Sequence, residues 1–187
     1  MARPNHREEL LRAAVEHVSV NGVSDLSLRA LAKALGTSHR MLIYHFGSKE
    51  ELLVSIVEEN EKTQKASLMG AFAREDTSLT GALLSAWQRL ANPEMWPSER
   101  LFFELYGQAL QGRRGTTALL DGIVSSWIEP AAALLCERGL PSEDAKAQAR
   151  LNLAVVRGLL LDLLATRDIE GANKAMEHFI RYCGHDE

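Results

Sequence analysis

Between Leu26 and Leu53 the chain reads LSLRALAKALGTSHRMLIYHFGSKEELL, and its order of apolar residues and helix breakers admits few folds. Leu28, Leu31, Ala32 and Leu35 recur at i, i+3, i+4 and i+7, the spacing of one helix face. Ser27 can cap that helix by accepting from a free backbone N–H, and Gly36 can end it in the left-handed conformation. Ser38 is placed to cap a second helix in which only Leu42 and Phe46, one turn apart, turn firmly inward, and Gly47 ends it. Ser48-Lys49-Glu50-Glu51 reads as a capping box opening a third helix. Two helices joined by a tight glycine-containing turn make a helix-turn-helix, an arrangement that enters the major groove of DNA.

The second of these helices has an unusual outer face. At about 100° per residue, Arg40 and Tyr44 point most directly away from Leu42 and Phe46, with Met41 and His45 flanking them. His39 lies in the first turn, and no carboxylate occurs between Arg29 and Lys49. Such a face is basic, aromatic and hydrogen-bonding, which suits base edges and phosphates. The plainer alternative is a short surface helix with a chance excess of cations.

The stretch resembles the DNA-binding domain of TetR-family transcriptional regulators. The residues that carry the resemblance are Ser27, Leu31-Ala32, Gly36-Thr37-Ser38, Tyr44-His45-Phe46 and Ser48-Lys49-Glu50-Glu51-Leu52, within residues 5–55. One position departs from the pattern: Ile43 stands where the family usually has a tyrosine that touches a phosphate. The resemblance implies an all-α protein with a DNA-binding head at residues 1–47 and a ligand-binding, dimerising body at residues 48–187. It implies a homodimer on a double-stranded DNA operator, a small-molecule effector, and no cofactor or metal. The DNA-contacting residues expected are Arg29, Thr37, Ser38, His39, Arg40, Met41, Tyr44, His45 and Lys49.

Charge is divided along the chain in the same sense. The net charge is −4, but residues 1–50 hold seven Lys/Arg against five Asp/Glu, and the remainder fourteen against twenty. A mildly basic head on an acidic body suits a protein that presents one end to DNA. Cys136 and Cys183 lie far apart with no metal or redox spacing. The start, MARPNHREELL, has no apolar run of a signal peptide, and Leu151–Ala165 is interrupted by Arg157 and Asp162. The expectation is a soluble, reduced, cytoplasmic bacterial protein.

Elsewhere the apolar periodicity predicts helices throughout. The first spans about Pro4 or His6 to Val20, with Asn5 as cap and Leu11, Ala14, Val15 and Val18 inward. The expected head core adds Leu28, Leu31, Leu35, Leu42, Phe46 and Leu52. A fourth helix from Lys49 toward Ala73 changes from apolar to polar at EENEKTQKAS, as a connector would. Residues 74–80 are read as a loop. Helices are then expected over Leu79–Ala91, Ser98–Gln111, Thr116–Arg138 with Pro130 as an internal break, a Ser142-capped helix to Thr166, and Asp168–Tyr182. Gly112-Arg113-Arg114-Gly115 is a basic turn between two of them, read as solvated.

The helix after Ser142 becomes apolar nearly all round at LNLAVVRGLLLDLLA, more than one small chain can bury by itself. With the resemblance, this places a dimer interface on Leu151, Val155, Gly158, Leu159, Leu163, Met176, Phe179 and Ile180. Trp87, Met95, Trp96, Phe102, Phe103, Tyr106 and Trp127 hold most of the body's aromatic surface. Singly they suit a core; as a group they suit a mostly apolar effector pocket. No catalytic motif is present: no Gly-x-Ser-x-Gly, phosphate loop, dinucleotide fingerprint or His-Glu-x-x-His. His178, Cys183 and His185 could hold a metal but read more simply as a solvated tail. The reading is therefore a repressor released by a small hydrophobic effector. Its alternative is a helical small-molecule-binding or enzyme module whose helix-turn-helix-like head does not regulate transcription.

Overall fold

A computed structural model describes residues 6–22, 27–72 and 78–183. Among them are nine α-helices, two 3-10 turns and no strand. The helices are α1 (His6–Asn21), α2 (Leu28–Ala34), α3 (His39–Phe46), α4 (Lys49–Phe72) and α5 (Leu79–Leu90). They continue with α6 (Trp96–Leu110), α7 (Ser125–Glu137), α8 (Ser142–Thr166) and α9 (Ile169–Cys183). The Asn5 cap, most of the loop at residues 74–80, and His185 lie outside the described residues. By contacts the chain divides into two compact units, Met1–Thr63 with Glu94–Asp121, and Gln64–Pro93 with Gly122–Glu187.

The first unit is built around α1, α2, α3 and the first part of α4, with α6 packed on α1. Its core holds Leu10, Ala14 and Val18 from α1, Leu31 and Ala32 from α2, Leu42 and Phe46 from α3, and Leu52, Ile56 and Val57 from α4. The α1 stripe is turned from the expected one. Leu10, Ala14 and Val18 form the buried row, and Leu11 and Val15, one position further round the helix, are half-exposed. Leu28 and Leu35 stand half-exposed at the two ends of α2.

Two helix limits follow from proline chemistry. Helix α6 begins at Trp96, ahead of the expected Ser98, since Pro97 falls in the first turn, where its missing N–H has no partner to lose. Pro141 is the N-cap of α8 and makes no side-chain bond, so Ser142 is the first helical residue and not the cap.

The single helix expected over Thr116–Arg138 is two elements, a 3-10 turn at Thr117–Leu120 and α7. The break falls at Asp121-Gly122, where Asp121 turns extended (ψ 102°) and Gly122 takes φ +76°. A side chain at residue 122 would be strained in that conformation. Helix α7 runs through Pro130. The stretch Thr117–Glu137 is apolar enough to cross a membrane by composition, but α7, with 13 residues, reaches only ~20 Å against the ~30 Å of a bilayer core.

The second unit packs α7 on α8 and α9 on α5 and α8. Ile128, Ala132 and Leu135 of α7 meet Ala145 and Ala149 of α8, and small residues there let the two backbones approach. Trp87 of α5 is buried, and its indole N–H donates to Asn173 Oδ1 of α9 at 2.8 Å. Leu83 and Leu90 are half-exposed on the same helix.

Because α3 is held by only two inward side chains, each matters disproportionately. Phe46→Ala should destabilise the protein by about 3–5 kcal/mol, read as a lower denaturant midpoint at unchanged slope.

Candidate nucleic-acid interface

The geometry of α2 and α3 follows from their caps. Ser27 Oγ accepts from Ala30 N–H at 3.1 Å, and Ser38 Oγ accepts from Met41 N–H at 3.2 Å. Between them Leu35, Gly36 and Thr37 donate to Leu31, Lys33 and Ala32 carbonyls, which closes α2. Gly36 and Gly47 both take positive φ. Ser48 Oγ then accepts from Glu51 N–H at 3.1 Å, and the Glu51 carboxylate folds back over Gly47. The chain thus leaves α3 and enters α4 within two residues, and the α3 axis has little freedom to tilt.

On α3, Leu42 is 1% exposed and Phe46 is buried, while Tyr44 is 78% exposed and His39, Arg40 and Ile43 are exposed as well. Met41 is half-buried between the two faces. Arg29 of α2 and Ser38 are exposed, and Thr37 and Lys49 are half-exposed at the two ends of α3. Arg29 therefore lies on α2, Thr37 and Ser38 in the turn before α3, His39–Tyr44 on α3 and Lys49 in the first turn of α4.

His45 is placed differently from the expected phosphate contact. Its Nε2 is shielded from solvent and has no hydrogen-bond partner among the described residues. Its ring packs edge-on against His6 at 5.5 Å and Tyr44 at 5.0 Å. In this conformation His45 supports the Tyr44 ring and does not reach outward.

Arg7 is a residue that the sequence did not single out. Its guanidinium lies over the Phe46 ring at 4.9 Å, and its Nε donates to the His45 carbonyl at 3.3 Å. It thus ties α1 to the last turn of α3, where a cation also meets the negative end of the helix dipole. Nothing in its spacing distinguishes it from other arginines on a polar helix face. Glu58 of α4 senses the same cation. Glu58 is exposed as a residue, yet partial desolvation of its carboxyl raises the pKa above the usual carboxylate value, and the attraction of Arg7 offsets this only in part.

In the rest of the chain the seven aromatic and sulfur side chains expected to line a pocket are divided between the two units. Trp87 and Trp127 belong to the second, the former buried and the latter half-buried. In the first, Phe102 is buried against Phe103 (5.2 Å, edge-on) and Tyr106 (5.5 Å, stacked), and Met95 and Trp96 are half-buried. A groove of about 470 Å³ lies elsewhere, between α4 and α5, lined by Ser67, Leu68, Gly70, Ala71, Ala82, Ser85, Ala86 and Arg89. Arg89 donates to the Ser67 hydroxyl across it. Small residues there carry no aromatic or periodic signal by which sequence could find the groove.

Residues 10–56 match the family of bacterial regulatory proteins called the tetR family. No curated protein sequence matches the chain. Among solved structures, a transcriptional regulator from Rhodococcus sp. Rha1 superposes with a TM-score of 0.74 at 21% identity, covering 95% of both chains. A TetR transcriptional regulator from Legionella pneumophila gives 0.69 at 20% identity, over 98% of this chain and 99% of that one. The multidrug binding protein EbrR, in complex with imidazole, gives 0.63 at 26% identity, over 94% and 90%. Fold and head together define an all-α protein with an N-terminal helix-turn-helix. Residues 10–56 thus carry a tetR-family head, and the fold of the whole chain is similar to that of solved TetR-family regulators.

The Glu58 carboxyl gives a pH prediction. A carboxyl whose pKa is raised by folding favours the folded state below its unfolded pKa of about 4.5, and that contribution is lost as pH rises through the folded value. Because Glu58 is largely exposed and solvent screens its charge, Glu58→Gln, which resembles the protonated acid, should raise the melting temperature only slightly at pH 7, and the gain should vanish below pH ~4.5.

Proposed function

We propose that the protein is a homodimeric repressor that binds a palindromic operator through α3 and is released by a small hydrophobic effector. The observation that carries this is the two-faced α3: Leu42 and Phe46 buried, Arg40 and Tyr44 exposed, with both helix ends capped. Residues 1–47 are the DNA-binding part, and residues 48–187 bind effector and dimerise. Arg40 is suited to bidentate contact with guanine, Met41 to apolar contact with a thymine methyl, and Tyr44 to base edges. Thr37, Ser38, His39 and Lys49 suit phosphates, and Arg29 suits the groove or backbone from α2. His45 takes a supporting role. Cytoplasmic localisation accompanies this reading.

A single eight-residue helix touches few base pairs, so genomic specificity calls for two copies related by a two-fold axis. The surface of α8 supports this. Leu151 (51% exposed), Ala154, Gly158, Leu161 (52% exposed) and Ala165 are exposed at alternating spacings of three and four, the spacing of a helix seam awaiting a partner helix. On α9, Ala175, His178 and Tyr182 are exposed at a matching interval. Two residues expected in the interface are removed from it: Leu163 is 0% and Met176 is 1% exposed, both filling the chain's own core. Val155, Leu159, Phe179 and Ile180 are half-buried at the flanks. Asp162 is exposed, and Arg157 donates to the Ile123 carbonyl at 3.4 Å.

For the effector, the support is the 26% identity to a multidrug binding protein and the open groove along α4. Release requires the effector to prefer the conformation that does not bind DNA; taking the populations from 1:99 to 99:1 needs ~5.5 kcal/mol of differential binding. Helix α4, whose first turn carries Lys49 and whose last turns line the groove, is the element such binding would shift.

Two experiments test this reading. DNA fragments selected from the source genome should bind the protein, and Arg40→Ala with Tyr44→Ala should lose ~1–3 kcal/mol per lost base contact. Unchanged affinity and preference in the double variant would place the contact elsewhere. Leu151→Glu with Leu161→Glu should give folded monomers by light scattering and lose operator binding. A monomeric wild type at micromolar concentration would contradict the dimer.

A further inference from the structure

The basic turn Gly112-Arg113-Arg114-Gly115 is exposed at its first three residues, as expected of a solvated loop, and it is closed by its own hydrogen bonds. Gly112 N–H and Arg113 N–H donate to the Ala109 and Gln108 carbonyls, closing α6. Thr116 is fully buried, and its hydroxyl donates to the Arg113 carbonyl at 2.8 Å. Gly115 has φ +84°, and a side chain on it would stand 3.0 Å from Glu50 Cβ and 3.5 Å from Ser48 Oγ. Glycine is needed there for both reasons. The turn is therefore seated on the junction between α3 and α4, next to Lys49, within one compact unit.

Its charges have distinct situations. Arg113 Nη2 lies 3.5 Å from Glu50 Oε1, so it neutralises a carboxylate in the first turn of α4, next to Lys49. Arg114 is exposed at the tip of the turn. A cation held by a rigid turn beside a phosphate-binding helix end adds attraction without the cost of ordering a loose loop.

We propose that the turn is a second DNA-backbone contact outside the helix-turn-helix, with Arg114 on a phosphate and Arg113 masking Glu50. This rests on the DNA-binding reading of α3. Backbone contact carries no base preference, so Arg114 contributes to affinity and to salt dependence, equally for operator and random sequence.

The test is salt-dependent DNA binding of full-length wild type and of Arg114→Ala, Arg114→Lys and Arg114→Glu, with circular dichroism melts as a check on folding. The probes are a selected genomic fragment and a random duplex of equal length. Arg114→Ala should reduce the magnitude of the log K against log salt slope by about 0.9 for each bound subunit, on both duplexes. Arg114→Lys should restore the slope, and Arg114→Glu should weaken binding further. Slopes and affinities equal to wild type in Arg114→Ala and Arg114→Glu would overturn the proposal and leave the α3 reading standing. Failure of the wild type itself to bind either duplex would remove that reading, and this proposal with it.

Discussion

The outward face of α3 depends on two side chains, Leu42 and Phe46, entering a core made by α1, α2 and α4. An isolated helix of eight residues does not persist in water, because nucleation costs more than so few hydrogen bonds return. Burial of a leucine and a phenylalanine, at ~1.5–3 kcal/mol each, supplies what the short helix lacks. The Ser38 and Gly47 ends fix where it starts and stops, and Arg7 fastens its last turn by covering the Phe46 ring and taking the His45 carbonyl. With the inner face fully committed, Arg40 and Tyr44 have no alternative but solvent. The exposure of the outer face of α3 is thus a consequence of core packing.

The same logic extends outward through α4. Its first turn carries Lys49 and the Glu50–Arg113 pair, and its last turns form one wall of a groove. Its apolar first half fills the core through Leu52, Ile56 and Val57, while its later turns are half-buried or exposed.

Local signals made the head legible in the sequence: Ser27, Gly36, Ser38, Gly47 and Ser48 each cap or end a helix through atoms within four residues. Where the deciding partner is distant in sequence, the reading weakened. Leu10 replaced Leu11 in the α1 core, and His45 turned inward because α1 brings His6 against its ring. The break before α7 fell at Gly122, while Pro130 was carried within the helix. Apolar residues on α8 could be recognised as too many for one chain. Which of them face the chain's own core, as Leu163 does, was decided by the packing of α8 against its neighbours and could not be read from its own period. The α4–α5 groove, lined by alanine, glycine and serine with Leu68 and Arg89, has no sequence signature at all.

The central claim is that α3 and its capped ends form the surface that meets DNA. It is tested most directly by a residue-resolved NMR titration of the full-length protein with a genomic fragment selected for binding. The account predicts that backbone amide shifts concentrate between Thr37 and Lys49, with the largest at Arg40 and Tyr44. Tight binding accompanied by shifts confined to other helices, with α3 unperturbed, would contradict it.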